Sequence, residues 1–353
     1  MKAPTRLGIL TSGGDCPGLN AVIRSVVSHA TLTYGWQVFG IPYATQGLLE
    51  RQIIPLHVHS FDLRGIDPLL SMGGTILGTI NKGNTLACID DIIASYQALA
   101  LDALIGVGGD GSIAILSQLA LHGNWQFIAI PKTIDHDVAL TERSIGFDTA
   151  TNTITDALNR LTFTAASHDR VMVVEVMGRE AGHLALQSGI AGGADVILIP
   201  EVPYSITALC RHLAELRDRW QRRFAIVVVA EGIHPAMDVA ELINQSPSCG
   251  RGQYIADCII QCNTYPVDTR VSVLGHIQRG GIPSALDRLT AAVFGKAAVD
   301  LIANGKSNQM VAWQNGHAVA VPIEQVCDRS PLAVDPGGDL VQTARALGIY
   351  VGE

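Results

Sequence analysis

The sequence predicts an α/β protein with mostly parallel sheets covered by helices. Apolar runs of strand length recur at residues 7–10, 38–41, 103–107, 127–130, 171–176, 196–199, 225–230 and 270–274, with helical patterns between most of them. The chain also holds 36 glycines and only 5% aromatic residues, which suits many tight strand-to-helix turns better than an all-β sandwich. Strands alternating with helices imply right-handed crossovers and buried parallel sheets.

Taken in order, the first run (7–10) leads into Thr11-Ser12-Gly13-Gly14-Asp15-Cys16-Pro17-Gly18-Leu19-Asn20 and then a helix near Ala21. Val22, Ile23, Val26, Val27 and Ala30 form its apolar stripe; Leu86, Ile89, Ile92, Ile93 and Tyr96 form another ahead of the run at 103–107. A domain change falls near Gly146-Phe147-Asp148, where a new helix and strand begin. The expected architecture is two Rossmann-like three-layer α/β/α domains with the active site in the cleft between them. The expected division puts residues 1–146 plus about 278–330 in a nucleotide-binding domain and 147–277 plus about 331–353 in a sugar-phosphate-binding domain, with no firm boundary marked in the sequence itself.

A chain of 353 residues, 48% hydrophobic, is long enough for two such domains. Its formal net charge of −8 argues against nucleic acid or acidic membranes as partners, so an anionic substrate needs a local cluster of cations. Seven scattered cysteines do not suggest a disulfide framework, and Cys258 and Cys262 have no matching pair for a metal site. With no signal-like segment or apolar span, the reading is a cytoplasmic protein with reduced thiols.

Two strand-end loops carry the chemistry. Gly108-Gly109-Asp110-Gly111-Ser112 offers bare backbone and a carboxylate; Pro131-Lys132-Thr133-Ile134-Asp135-His136-Asp137 offers a hydroxyl, a lysine and two carboxylates. Backbone N–H groups suit phosphate oxygens, one acid suits Mg²⁺, and another suits a proton leaving an alcohol. Asp110 reads either as a turn former or as a metal ligand, Thr133 as a cap or a phosphate donor, and Lys132 as a solvated lysine or a cation for the transferred group. The first glycine-rich turn is neither a G-x-G-x-x-G fingerprint nor a Walker A loop. Two further strand ends, Met177-Gly178-Arg179-Glu180 and Gly275-His276-Ile277-Gln278-Arg279-Gly280-Gly281, bring arginines suited to bidentate phosphate binding. The combination reads as a sugar-phosphate kinase.

These five segments, in their order and spacing, resemble the phosphofructokinase A family, which includes ATP- and pyrophosphate-dependent 6-phosphofructokinases. The resemblance runs from about residue 6 to residue 300. It implies a glycolytic phosphoryl transfer from Mg-ATP to the C1 hydroxyl of fructose 6-phosphate. Asp135 would be the general base, with Thr133, Asp137 and Arg179 orienting the reacting groups. Asp110 would hold Mg²⁺, and Gly14, Gly111, Ser112, Lys132 and Lys82 would serve the nucleotide phosphates. Met177, Gly178 and Glu231 would contact the sugar, and His276, Arg279, Arg170 and Arg270 its 6-phosphate. The last two reach in from a neighbouring subunit in the family, which implies a homotetramer with sites completed across an interface and a capacity for allostery.

Gly111 favours ATP, because pyrophosphate-dependent members usually carry an aspartate there, whose charge and bulk exclude the nucleotide's inner phosphate. Lys132 pulls towards pyrophosphate, the alternative donor. Asn81 stands about where the best-known bacterial enzymes have an arginine, so Lys82 is the candidate replacement. Arg24 and Asp195 match effector-site positions, whereas Ser28 and Thr162 replace arginines there. Distant NAD or lipid kinases share a G-G-D-G loop but lack the other segments. A non-catalytic, sugar-phosphate-sensing subunit would have lost Asp110, Asp135 or Arg179, and this chain has all three.

Overall fold

The computed structural model describes residues 5–80, 85–236, 250–262 and 267–352. The chain divides into two compact units, Met1–Thr149 with Arg279–Leu332, and Ala150–Gln278 with Ala333–Glu353. The first change of unit falls inside the helix Phe147–Ser167.

Strands β1 (Arg6–Thr11), β2 (Gln37–Gly40), β3 (Ile54–Leu56), β4 (Ala103–Gly108), β5 (Gln126–Thr133) and β6 (Ile145–Gly146) belong to the first unit. The second unit holds β7 (Arg170–Val176), β8 (Val196–Leu198), β9 (Ala225–Ala230) and β10 (Asp268–Val273). Strands β11 (Gln309–Gln314) and β12 (His317–Pro322) return to the first. The first sheet runs β12-β11-β5-β4-β1-β2-β3, with β6 against the end of β5; the second runs β10-β7-β9-β8. All pairings are parallel except β2 with β3 and β11 with β12.

Every apolar run read as a strand is one, and the central strands are buried on both faces, as parallel sheets require. Around the first sheet, Leu10, Ile41, Leu104, Phe127, Met310 and Ile323 join one hydrophobic core. The helix Leu19–Tyr34 buries the expected stripe from Val22 to Ala30 and ends where Gly35 turns left-handed, its N–H reaching Ala30 and Thr31 carbonyls. The second stripe is shorter than expected. Its helix is Ile89–Ala98, and Leu86 lies in the preceding 3₁₀ turn Thr85–Cys88 with its side chain exposed, so it does not contribute to the buried face.

In the first sheet the chain leaves β1 towards β2 on one side and β4 on the other. The order therefore reverses between β1 and β4, and the loops after those strands open a crevice at their carboxyl ends. Among the described residues no helix is long and apolar enough to cross a membrane.

Candidate active site

The crevice is a cavity of about 340 Å³ in the first unit. The loops after β1, β4 and β5 line it, together with Thr45, Ile80, Thr85 and Arg279 from other segments. The loop after β1 is pinned by its carbonyls. Thr79 Oγ1 donates to Gly13 O at 2.5 Å, the Lys132 ammonium donates to Gly14 O, and Arg279 Nη1 donates to Asp15 O at 3.1 Å. The guanidinium lies so close that a Cβ on Gly14 would stand 2.6 Å from Arg279 Nη1, so bare backbone is what lets the two meet.

After β4, Gly109 precedes the helix Asp110–Gly123, whose first turn carries Asp110, Gly111 and Ser112 into the cavity. That helix start adds positive potential where an anion would lie. A Cβ on Gly111 would meet nothing within 4 Å.

The end of β5 carries Lys132 and Thr133, and β6 braces them in register, Lys132 opposite Ile145 and Thr133 opposite Gly146. Thr133 Oγ1 donates to Asp137 Oδ1 at 2.9 Å and accepts the Asp135 backbone N–H at 3.0 Å, which fixes how this loop presents its carboxylates. His136 between them takes a positive φ of 57° and stacks on Phe147 at 4.5 Å. Burial lowers the Lys132 pKa from its ordinary value, with Arg279 acting in the same direction. Burial also pushes the neighbouring Cys16 thiol up to about 12, so it stays protonated while its Sγ donates to Ile145 O at 3.3 Å.

One cavity thus brings together Gly14, Asp110, Gly111, Ser112, Lys132, Thr133, Asp135, Asp137 and Arg279. Arg279, expected beside the sugar phosphate, lines this cavity in the first unit. Mg²⁺ favours oxygen ligands, keeps several waters and needs only one or two carboxylates beside phosphate oxygens. Asp110, in the first turn of its helix and on the cavity wall, offers one such carboxylate. Among the described residues no set of three His, Cys, Asp or Glu side chains forms a dedicated metal cage.

The remaining candidates lie in the second unit. Met177 follows β7 and its N–H donates to Gln278 Oε1 at 3.1 Å, while Gly178 adopts a positive φ of 118°. Glu231 follows β9, and its N–H donates to Val176 O at 2.8 Å; Gly232 N–H donates to Gly178 O at 3.1 Å. A Cβ on Gly232 would fall 1.8 Å from the Arg179 carbonyl oxygen, so the two strand-end loops touch backbone to backbone. There Arg179 Nε and Glu231 Oε1 form an ion pair at 3.5 Å. Arg170 on β7 and Arg270 on β10 share the carboxylate of Asp268. His276 stands in the 3₁₀ turn Gly275–Arg279. Lys82 lies outside the described residues. Of the two residues expected at effector-site positions, Arg24 pairs with Asp67 at 2.5 Å and Asp195 with Arg222 at 3.0 Å.

Three contributors were not singled out in the sequence. Asp287 holds β6 through the backbone, and the signal for it is Ser284-x-x-Asp287, a helix-start pattern in which Ser284 Oγ accepts the Asp287 N–H at 3.1 Å. Gln278 lies within residues 275–281, but nothing local marks it as the acceptor for Met177. Asp268 is two positions before Arg270 on one strand face, a spacing that was legible.

The phosphofructokinase family model matches residues 6–302. The chain belongs to the phosphofructokinase family. It is 75% identical over 352 residues to ATP-dependent 6-phosphofructokinase 2 of Nostoc sp., covering 99% of each chain. It is 63% identical to ATP-dependent 6-phosphofructokinase of Thermosynechococcus vestitus over 99% of this chain and 93% of that one. Among solved structures, Pichia pastoris phosphofructokinase in the T-state matches with a TM-score of 0.81 at 29% identity, covering 99% of this chain and 37% of that longer one. Pyrophosphate-dependent phosphofructokinase from Nitrosospira multiformis shares the fold, with a TM-score of 0.83 at 20% identity over 99% and 93% of the two chains.

Proposed function

We infer that this protein is an ATP-dependent 6-phosphofructokinase, which moves the γ-phosphoryl group of Mg-ATP to the C1 hydroxyl of fructose 6-phosphate. The observation that carries the reading is the gathering of Asp110, Asp135 and an unobstructed Gly111 around one cavity, in a chain 75% identical to a relative of that name.

Asp135 takes the proton as the C1 oxygen attacks, which a positioned carboxylate assists because a sugar hydroxyl is a poor nucleophile. Thr133 and Asp137 hold that loop in place through the bonds described above. Asp110 holds Mg²⁺, which when bound offsets charge on the donor phosphates. Arg279 and the helix start at Asp110 supply fixed positive potential beside them. In the second unit Met177, Gly178 and Glu231 bind the sugar, and Arg179 balances transition-state charge. Arg170, Arg270 and His276 hold the 6-phosphate, the two arginines serving a neighbouring subunit of a homotetramer in the cytoplasm.

Lys132 does not argue for pyrophosphate here. Its ammonium is buried and committed to the Gly14 carbonyl, so it braces the loop rather than offering a mobile cation to a small donor. Initial rates with ATP and with pyrophosphate, each with fructose 6-phosphate and Mg²⁺, test the assignment. Turnover with ATP and none with pyrophosphate is expected; the reverse pattern overturns it.

A further inference from the structure

Asp268 lies between two of the cations assigned above to the 6-phosphate. Its Oδ2 accepts from Arg170 Nε at 2.6 Å, and its Oδ1 pairs with Arg270 Nη1. The sheet register enforces this meeting. Strands β10 and β7 run parallel with Asp268 opposite Arg170, and Arg270 follows two residues later on the same strand face. The carboxylate is attached by a short side chain to a strand, so the paired backbone sets it beside both guanidiniums. Each arginine meets it through one nitrogen, and Arg270 Nη1 also donates to Thr269 O at 3.0 Å. The guanidiniums keep other N–H donors for an incoming oxyanion.

We propose that Asp268 is a built-in competitor for the phosphate of the sugar substrate, setting its affinity by cancelling half the charge of the Arg170–Arg270 pair. The inference rests on the assignment of those arginines to the 6-phosphate. Two guanidiniums alone would present two positive charges; with the carboxylate between them they present one. A phosphate dianion therefore meets a weaker field and shares its donors with an anion already in place.

Asp268→Asn removes the charge and keeps the shape and one acceptor. The side chain is 40% exposed, so the variant is expected to fold with an unchanged thermal midpoint. Calorimetric titration of the full-length protein with fructose 6-phosphate should show binding about fivefold tighter, the scale of one partly screened charge. Inorganic phosphate should bind more tightly in the same variant. Arg270→Ala, titrated in parallel, tests the underlying assignment: unchanged sugar-phosphate affinity there means the arginines do not hold the phosphate. If Arg270→Ala weakens binding while Asp268→Asn leaves it unchanged or weakens it too, Asp268 is a support for the arginines and the competitor proposal is wrong. In the double variant the gain from Asp268→Asn should shrink, since half the pair it masks is gone.

Discussion

Asp287 Oδ1 accepts the backbone N–H of Gly146 at 3.0 Å, across 141 positions of sequence. Its Oδ2 accepts the Thr149 N–H at 2.9 Å and also the Thr149 hydroxyl. Because Gly146 ends β6 and β6 pairs with Lys132 and Thr133, this buried carboxylate steadies the loop that carries Asp135. Asp287→Asn turns an amide towards N–H donors that need an acceptor. It should cost about 2–3 kcal/mol of stability, read by urea denaturation.

Asp135→Asn removes the proposed base while keeping its shape. Turnover should fall by about two to four orders of magnitude with little change in KM for fructose 6-phosphate. A variant with near-parental kcat would eliminate Asp135 as the base.

Gly111 faces open space, so its substitution separates ligand effects from folding effects. Gly111→Ala should leave stability unchanged or raise it by up to about 1 kcal/mol, because alanine is the better helix former. Gly111→Asp should also fold, but kcat/KM for ATP should drop by about 100-fold through repulsion of the nucleotide phosphates. Thermal midpoints beside ATP kinetics check both; a folded Gly111→Asp with full ATP activity would remove the argument for this position.

Gly232→Ala drives a methyl group into the Arg179 carbonyl, at a spacing no side-chain adjustment relieves. Stability should fall by about 1–3 kcal/mol, and KM for fructose 6-phosphate should rise as Glu231 and Arg179 move apart. Both are measured on the purified variant by thermal unfolding and steady-state rates.

Asp300 gives a pH dependence. Partial burial raises its carboxyl pKa, but hydrogen bonds from Lys296, His29 and Tyr34 outweigh that and hold it down to about 2, below its ordinary 3.8. A depressed folded pKa stabilises the protein above the unfolded value and loses that contribution as pH falls from 3.8 towards 2. At this partly exposed site screening limits the effect to about 1 kcal/mol. The gap in thermal midpoint between the parent and Asp300→Asn should be present at neutral pH and shrink in strong acid.

The central strands were legible because burial on both faces leaves unbroken apolar runs, as at Ala103–Gly108 and Ala225–Ala230. The edges were not. Strand β3 has three residues with Pro55 in the middle, and β6 has two; both are defined by their partners rather than by their own composition. The β11–β12 hairpin carried a signal that went unused: Asn315-Gly316 at its turn, both at positive φ, is the sequence such a turn favours. The loops after β1, β4 and β5 were readable as chemistry because glycine, hydroxyl and carboxylate groups cluster at strand ends. The supports were harder, since Asp287 and Gln278 act through backbone contacts far away along the chain.

The helix Ala285–Ala303 and strand β11 belong to the first unit, yet they are synthesised only after the chain has traversed residues 150–278. At a ribosome speed of about 5–20 residues per second, the first unit waits roughly 6–26 seconds while that stretch is made. During that interval the edge of β5 that β11 will cover lies open, and Arg279 has not yet arrived to anchor Asp15. A nascent chain in this state presents an unpaired parallel edge to any strand it meets. Overexpression without chaperones should therefore favour aggregates formed by truncated or slowly translated chains.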